Sequence, residues 1–339
     1  MRHKTDGTIQ KDLDDGIDTI GKKMTVCQLY AKQIRHRGNV RYNTKNGRKR
    51  LMKLLEEDKL GGCPIDSVKL SDAKEWAIRM KEKGISYKTI SNDKRSLKAA
   101  FCTAIQDDCI RKNPFDFQLN TVIEDDTEPK VPLTPAQEES FLSFAQNDKV
   151  YQKYYDELII LLGTGLRISE LCGLTDTDID FENRIINVDH QLLRSAETGY
   201  YIETPKTKSG IRQIPMSEKV YEAFNRVLKR RRGAKAVTID GYSNFLFRNR
   251  DGYPKTATNY DGMFRGHAKK YNKYHEEALP KVMTPHTLRH TFCTNMANAG
   301  MNPKALQYIM GHSNITMTLN YYAHATFDSA KAEMLRIAA

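Results

Sequence analysis

The sequence predicts a mainly α-helical chain in two domains, the second of which carries a small antiparallel β-sheet. Three observations lead there. A length of 339 residues exceeds one ordinary domain and is enough to bury two cores. Residues 23 to about 113 place apolar side chains at three- and four-residue spacing, and alternating, strand-like runs begin only after residue 183.

The first 22 residues are polar and charged, with helix-like spacing only in IQKDLDDGID, and read as a linker. Four amphipathic helices with short connections then form a small bundle over 23–124: MTVCQLYAKQI, RKRLMKLLEE, LSDAKEWAIRMKEKG and SYKTISNDKRSLKAAFCTAIQDD. Ser71 and Ser86 stand at expected N-caps, and Gly84 stands just past the third helix. Asn113-Pro114, then Pro129, Pro132 and Pro135 beside an acidic cluster, break the periodicity, which sets the boundary between Glu124 and Val131 and a linker at 125–133. Over 134–325 come the helices TPAQEESFLSFAQN, DELIILLGTGL and Ile168 to Leu174. The strand-like runs RIINVDHQLL, GYYIETPKTK and IRQIPMS follow, the last two joined as a short hairpin through Ser209 and Gly210. Helices resume at Ser217, and 326–339 form a tail.

Lys and Arg outnumber Asp and Glu by 54 to 42, giving a net charge of +12 that favours an acidic polymer as partner. Mean hydropathy is −0.63, and no run nears the roughly 18 apolar residues of a membrane span, which excludes an integral membrane helix. The N-terminus has no apolar signal-peptide core. Cys27, Cys63, Cys102, Cys109, Cys172 and Cys293 form no CxxC pair and read as reduced core residues of a cytosolic protein.

Three segments put phosphate binders beside helix ends: TGLRISEL with Arg167, TPHTLRHTF with His286 and Arg289, and MGHSNITMTLNYYAHAT with His312 and Tyr322. Cleaving a phosphodiester without a metal requires a side-chain oxygen as nucleophile, fixed donors for the non-bridging oxygens and a proton for the departing oxygen. Arg suits the donor role because its planar fork makes two parallel bonds and keeps its charge, while Lys or His suits the proton donor. His286 and Arg289 are three apart and share a helix face, and Pro285 suits the first turn of that helix.

These motifs resemble the tyrosine recombinase (phage integrase) family, most closely the integrases of conjugative transposons, over nearly the whole chain. The resemblance implies a helical SAM-like core-binding domain and an α+β catalytic domain forming a C-shaped clamp on DNA. Arg167 resembles the first catalytic arginine and Glu170 the acidic residue supporting it. His286 and Arg289 match the H-x-x-R motif, His312 the G-H motif, and Tyr322 the nucleophile by its spacing to His324. The family lysine lies on a β-hairpin, implied here to be ETPKTKSGIRQIPM, with Lys208 chosen and Lys206 the alternative. Members of this subgroup begin with a small arm-site-binding domain, of which residues 1–22 resemble only a stub. The implied chemistry is attack by Tyr322 to give a 3′-phosphotyrosyl link, with neither ATP nor a metal as cofactor. Implied partners are double-stranded DNA at core-type recombination sites, three further copies in a homo-tetramer, an excisionase and a host DNA-bending factor. The tail, with Phe327, Ala330, Met334, Leu335 and Ile337, suits docking on a neighbouring copy or on its own domain.

Competing readings are weaker. His286 and His290 have a metal-ligand spacing, but Thr287 stands where a metalloprotease helix has its glutamate. Tyr321 is the fallback nucleophile, and Glu170 is an even choice between orienting Arg167 and holding a helix end. Arg48 to Arg50, Lys81 to Lys83 and the helix bearing Lys88, Lys94, Arg95 and Lys98 read either as solvated faces or as a DNA-facing surface. Net charge favours DNA for Arg48, Arg50, Lys88, Lys94, Arg95 and Lys98; Lys229 to Lys235 is a similar run. A type IB topoisomerase and a non-catalytic DNA-binding regulator are the rival classes. The helical first domain and docking tail count against the former, and the complete motif set against the latter.

Overall fold

The computed structural model describes residues 23–38, 40–128, 131–205, 207–230, 237–322 and 334–335. The chain divides into two compact units, 1–129 and 130–339. The expected N-terminal stub at 1–22 and all of the expected tail except Met334 and Leu335 lie outside the described residues, as does Lys206.

The first unit holds α1 (Val26–His36), α2 (Tyr42–Glu56), α3 (Leu70–Glu82) and α4 (Tyr87–Gln106). Thr25 starts α1 with a reciprocal cap, its Oγ1 accepting from Gln28 N at 3.2 Å while Gln28 Oε1 accepts from Thr25 N at 2.9 Å. Ser86 caps α4, and Gly84 takes φ +76° after α3, as the sequence suggests. Ser71 is not a cap. Helix α3 begins two residues earlier than a Ser71 cap would place it, because Asp72 Oδ2 accepts from Lys69 N at 2.8 Å and makes Lys69 the N-cap. The connection from α2 to α3 is also long, and Asp58 within it receives two bonds from Arg79, at 2.9 and 2.7 Å. Trp76, Phe101 and Phe115 are fully buried at the centre, Trp76 meeting Phe115 edge-on at 5.7 Å. Phe115, Leu119 and Ile123 thus carry the core past the Asn113-Pro114 break.

The second unit contains α5 (Pro135–Asn147), α6 (Tyr155–Thr164), α7 (Ile168–Gly173), β1 (Ile179–Asp180), β2 (Ile185–Val188), β3 (Gln191–Ser195), β4 (Gly199–Glu203) and β5 (Arg212–Pro215). Then come α8 (Glu218–Arg230), α9 (Ala257–Tyr274), α10 (Pro285–Asn298), α11 (Pro303–Met310) and α12 (Thr316–Leu319). Helix α6 is apolar on nearly every side, with Leu158, Ile160, Leu161 and Leu162 buried, as befits a helix inside the core.

The strands differ from the expectation in two ways. They form two antiparallel sheets, β1-β2-β5 and β3-β4, and the run RIINVDHQLL is split between them. His190 makes the break: it is buried, with Nε2 on the Gly173 carbonyl at 2.8 Å and its ring against Tyr242. The expected hairpin between GYYIETPKTK and IRQIPMS does not form. Among the described residues, strand β4 ends at Glu203 and pairs only with β3, while β5 pairs with β2 in the register Ile186↔Ile214 and Val188↔Arg212. Pro205 has no N–H to extend the β4 ladder, and the chain crosses between sheets through a 3₁₀ turn at Lys208–Gly210.

Candidate active site

Two tight corners bring Arg167, Glu170, Arg289 and His312 together, while Tyr322 Oη and Lys208 lie outside the hydrogen bonds of this cluster. Helix α6 ends at Gly165, whose φ of +63° is left-handed and whose position faces Phe292 so closely that a Cβ would fall 2.4 Å from its ring. Two residues later Arg167 is the N-cap of α7, and Glu170 at the third position accepts its backbone N–H at 2.8 Å. The same carboxylate receives Arg167 Nη1 at 2.7 Å. On its other side it takes a forked pair from Arg212 on β5, with Nη1 at 3.0 Å and Nη2 at 2.8 Å. Burial alone would raise the Glu170 carboxyl; the Arg212 bonds, then the charges of Arg212, Arg167 and Arg289, reverse this and bring it down to about 2.

The second corner is Gly311, also left-handed at φ +60°, which closes α11. Three arginines cap the carbonyls at this helix end. Arg212 Nε donates to Ile309 O at 2.6 Å, Arg289 Nη2 donates to Met310 O, and Arg167 Nη2 donates to Gly311 O at 3.0 Å. Cations suit the negative pole of a helix, and these carbonyls have no intrahelical partner. Arg289, on α10, also donates to Gly165 O and so ties the two corners together. Its guanidinium is buried, and burial, followed by the nearby Arg167 charge, brings it down to about 9.

His312 follows Gly311 and is buried, with Nδ1 3.0 Å from Thr318 Oγ1 on α12. Burial, then the charges of Arg289, Arg167 and Arg212, lower it to about 4, so it is neutral at physiological pH. In the tautomer in which Thr318 donates to Nδ1, the ring proton lies on Nε2 and serves as a donor. His286 is exposed at the start of α10 and meets the His290 ring edge-on at 4.6 Å. The tyrosines part as adjacent residues do: Tyr321 Oη meets His290 Nδ1, while Tyr322 Oη donates to the Met301 carbonyl. Burial raises both phenols, Tyr321 to about 12. Lys208 is exposed on the 3₁₀ turn.

Of the six basic residues singled out in the first unit, Arg50 acts within the fold, its Nη2 forking onto buried Asp93 at 2.6 and 2.8 Å and joining α2 to α4. Lys98 pairs with Asp116, and Lys94 lies 4.5 Å from the Phe117 ring centre. Lys88 and Arg95 are exposed on α4, and Arg48 is half-buried beside Met52 and Ile34. Of the Lys229 to Lys235 run, Arg230 reaches buried Asp156; residues 231–236 lie outside the described part.

Sequence reasoning missed Arg212. A signal was present, since Arg212 alternates in phase with buried Ile214 along β5 and a charge at an inward strand position requires a buried partner.

Several fixed cations around a single buried carboxylate, on a mainly helical two-unit chain, make a site suited to an anion. The phage integrase family model matches residues 132–329, more than half of the chain, and the chain belongs to that family. It is 68% identical over 329 residues to the transposase from transposon Tn916 of Enterococcus faecalis, an alignment covering 97% of this chain and 81% of the relative. The solved structure of the Tn1549 transposon integrase with a circular intermediate DNA is 77% identical, with a TM-score of 0.88 over 93% of this chain and 99% of that one. A lambda integrase dimer bound to a core site shares the fold at 16% identity, with a TM-score of 0.60 over 94% of this chain and 81% of that one.

Proposed function

We propose that the chain is the site-specific recombinase of a conjugative transposon, cleaving and rejoining duplex DNA to integrate and excise the element. One observation carries the reading: Arg167, Arg289 and Arg212 converge on the end of α11 with His312 beside them and one carboxylate, Glu170, in their midst, leaving net positive charge for a phosphate. Support also comes from Tn1549 integrase structures containing circular intermediate DNA and transposon right end DNA.

In this reading Tyr322 Oη attacks the scissile phosphorus. The new O–P bond forms as the bond to the 5′ oxygen breaks, giving a 3′-phosphotyrosyl link, and Lys208 supplies the proton that makes the leaving oxygen a hydroxyl. Arg167, Arg289 and the Nε2–H of His312 hold the non-bridging oxygens, where fixed donors stabilise the charge that builds up. His286 assists proton transfer at the nucleophile, and Glu170 holds Arg167 in place. Attack by the 5′ hydroxyl of a second duplex reverses the step, and no ATP or metal enters the balance. Residues 23–124 act as the core-binding domain and 134–325 as the catalytic domain, joined by 125–133. Four copies assemble on two sites in the cytoplasm, with 326–339 docking on a neighbour and an excisionase and a host DNA-bending factor setting direction.

The test is a nicked suicide substrate, denaturing electrophoresis and mapping of the modified residue. Wild-type protein is expected to give an adduct on Tyr322. Tyr322→Phe is expected to bind DNA unchanged and give none; an adduct mapped to Tyr321 overturns the assignment.

A further inference from the structure

Arg212 makes four hydrogen bonds within the site, and the proposed chemistry gives it no contact with a reacting atom. Its side chain is fully buried. It forks onto Glu170, which also holds Arg167, and it caps Ile309 at the end of α11. Its fourth bond runs elsewhere: Nη1 donates at 3.0 Å to the carbonyl of Gly210, the last residue of the 3₁₀ turn that begins with Lys208. The turn is held from two further sides. A Cβ on Gly210 would fall 2.3 Å from Pro205 Cβ, and a Cβ on Gly311 would fall 3.0 Å from Ser209 O and 3.2 Å from Arg212 Nη1. The Lys208 turn therefore lies directly on Gly311, whose carbonyl receives Arg167 and whose next residue is His312.

We propose that Arg212 is a positioning residue that locks the Lys208 turn to the Arg167–His312 corner, so that proton donor and phosphate binders are held as one rigid set. The inference rests on the reading of Lys208 as the general acid. Lysine cannot replace Arg212, because an ammonium offers three donors from a single nitrogen, whereas Arg212 makes four bonds from three nitrogens spread over a planar fork.

Sulfur in place of the scissile 5′ oxygen provides the test. The Tyr322 O–P bond still forms, but the P–S bond breaks and sulfur departs with its electron pair as a thiolate, which is far less basic than an alkoxide and needs no proton. The cleavage rate on this substrate divided by that on the ordinary one reports only the proton donor, and it is independent of how much protein is folded. For Lys208→Ala this ratio is expected to rise by about 10²-fold over wild type, the usual worth of a general acid. For Arg212→Lys it is expected to rise at least about tenfold, with DNA binding retained. A raised ratio for Lys208→Ala but a wild-type ratio for Arg212→Lys overturns the positioning role alone. A wild-type ratio for Lys208→Ala overturns the general-acid reading, and the inference with it.

Discussion

At the residue scale, Glu170 is where stability and chemistry meet. It is the buried acceptor for two guanidinium groups, and removing one partner of such a set leaves the others uncompensated. Glu170→Gln is expected to cost roughly 3 to 5 kcal/mol, measured by urea denaturation at neutral pH. The pH dependence has a definite sign. The folded carboxyl lies at about 2 against an ordinary 4.5, so its contribution is full above 4.5 and is lost as pH falls towards 2. His312, at about 4 in the fold against 6.5, adds a loss earlier on acidification, between 6.5 and 4, because the unfolded chain binds its proton first. Glu170→Gln should lack the lower limb and keep the upper one. Arg167, Arg289 and His312 were legible because each stands in a short motif. Arg212 carried a local signal, its inward phase on β5, but not the identity of its partner, because Glu170 lies 42 positions away and only the folded sheet brings them together.

At the element scale, α4 carries two jobs on one helix. Leu97, Ala100, Phe101 and Ala104 face the core, while Lys88 and Arg95 are exposed. Sequence reasoning grouped Arg50 with the DNA-facing cations, whereas its fork to Asp93 makes it a staple between α2 and α4. These roles separate in a salt titration of DNA affinity. Lys88→Ala and Arg95→Ala are each expected to flatten the log–log slope by about 0.9 if each meets one phosphate, with little change in thermal midpoint. Arg50→Ala is expected to lower the midpoint, since it leaves Asp93 buried without its partner. The four helices of the first unit and the apolar character of α6 could be read from spacing because periodicity is local. Strand pairing could not: alternation suggested three runs, but a proline at 205 and a buried histidine at 190 decided which strands meet.

At the scale of the whole molecule, each unit has its own apolar core, one around Trp76 and Phe115, the other around α6. Expressed separately, 1–129 and 130–339 are each expected to unfold cooperatively, checked by calorimetry; a fragment without a transition would show that its core depends on the other unit. The end of α11 has a further consequence for how this protein tolerates change. Its three guanidinium groups are gathered by main-chain carbonyls of residues 309, 310 and 311, none of which uses its side chain in the bonds. No side-chain replacement deletes a carbonyl. The scaffold that collects the charges is thus insulated from point mutation, and the helix can vary its sequence while offering the same acceptors, so long as its length and its left-handed last residue persist.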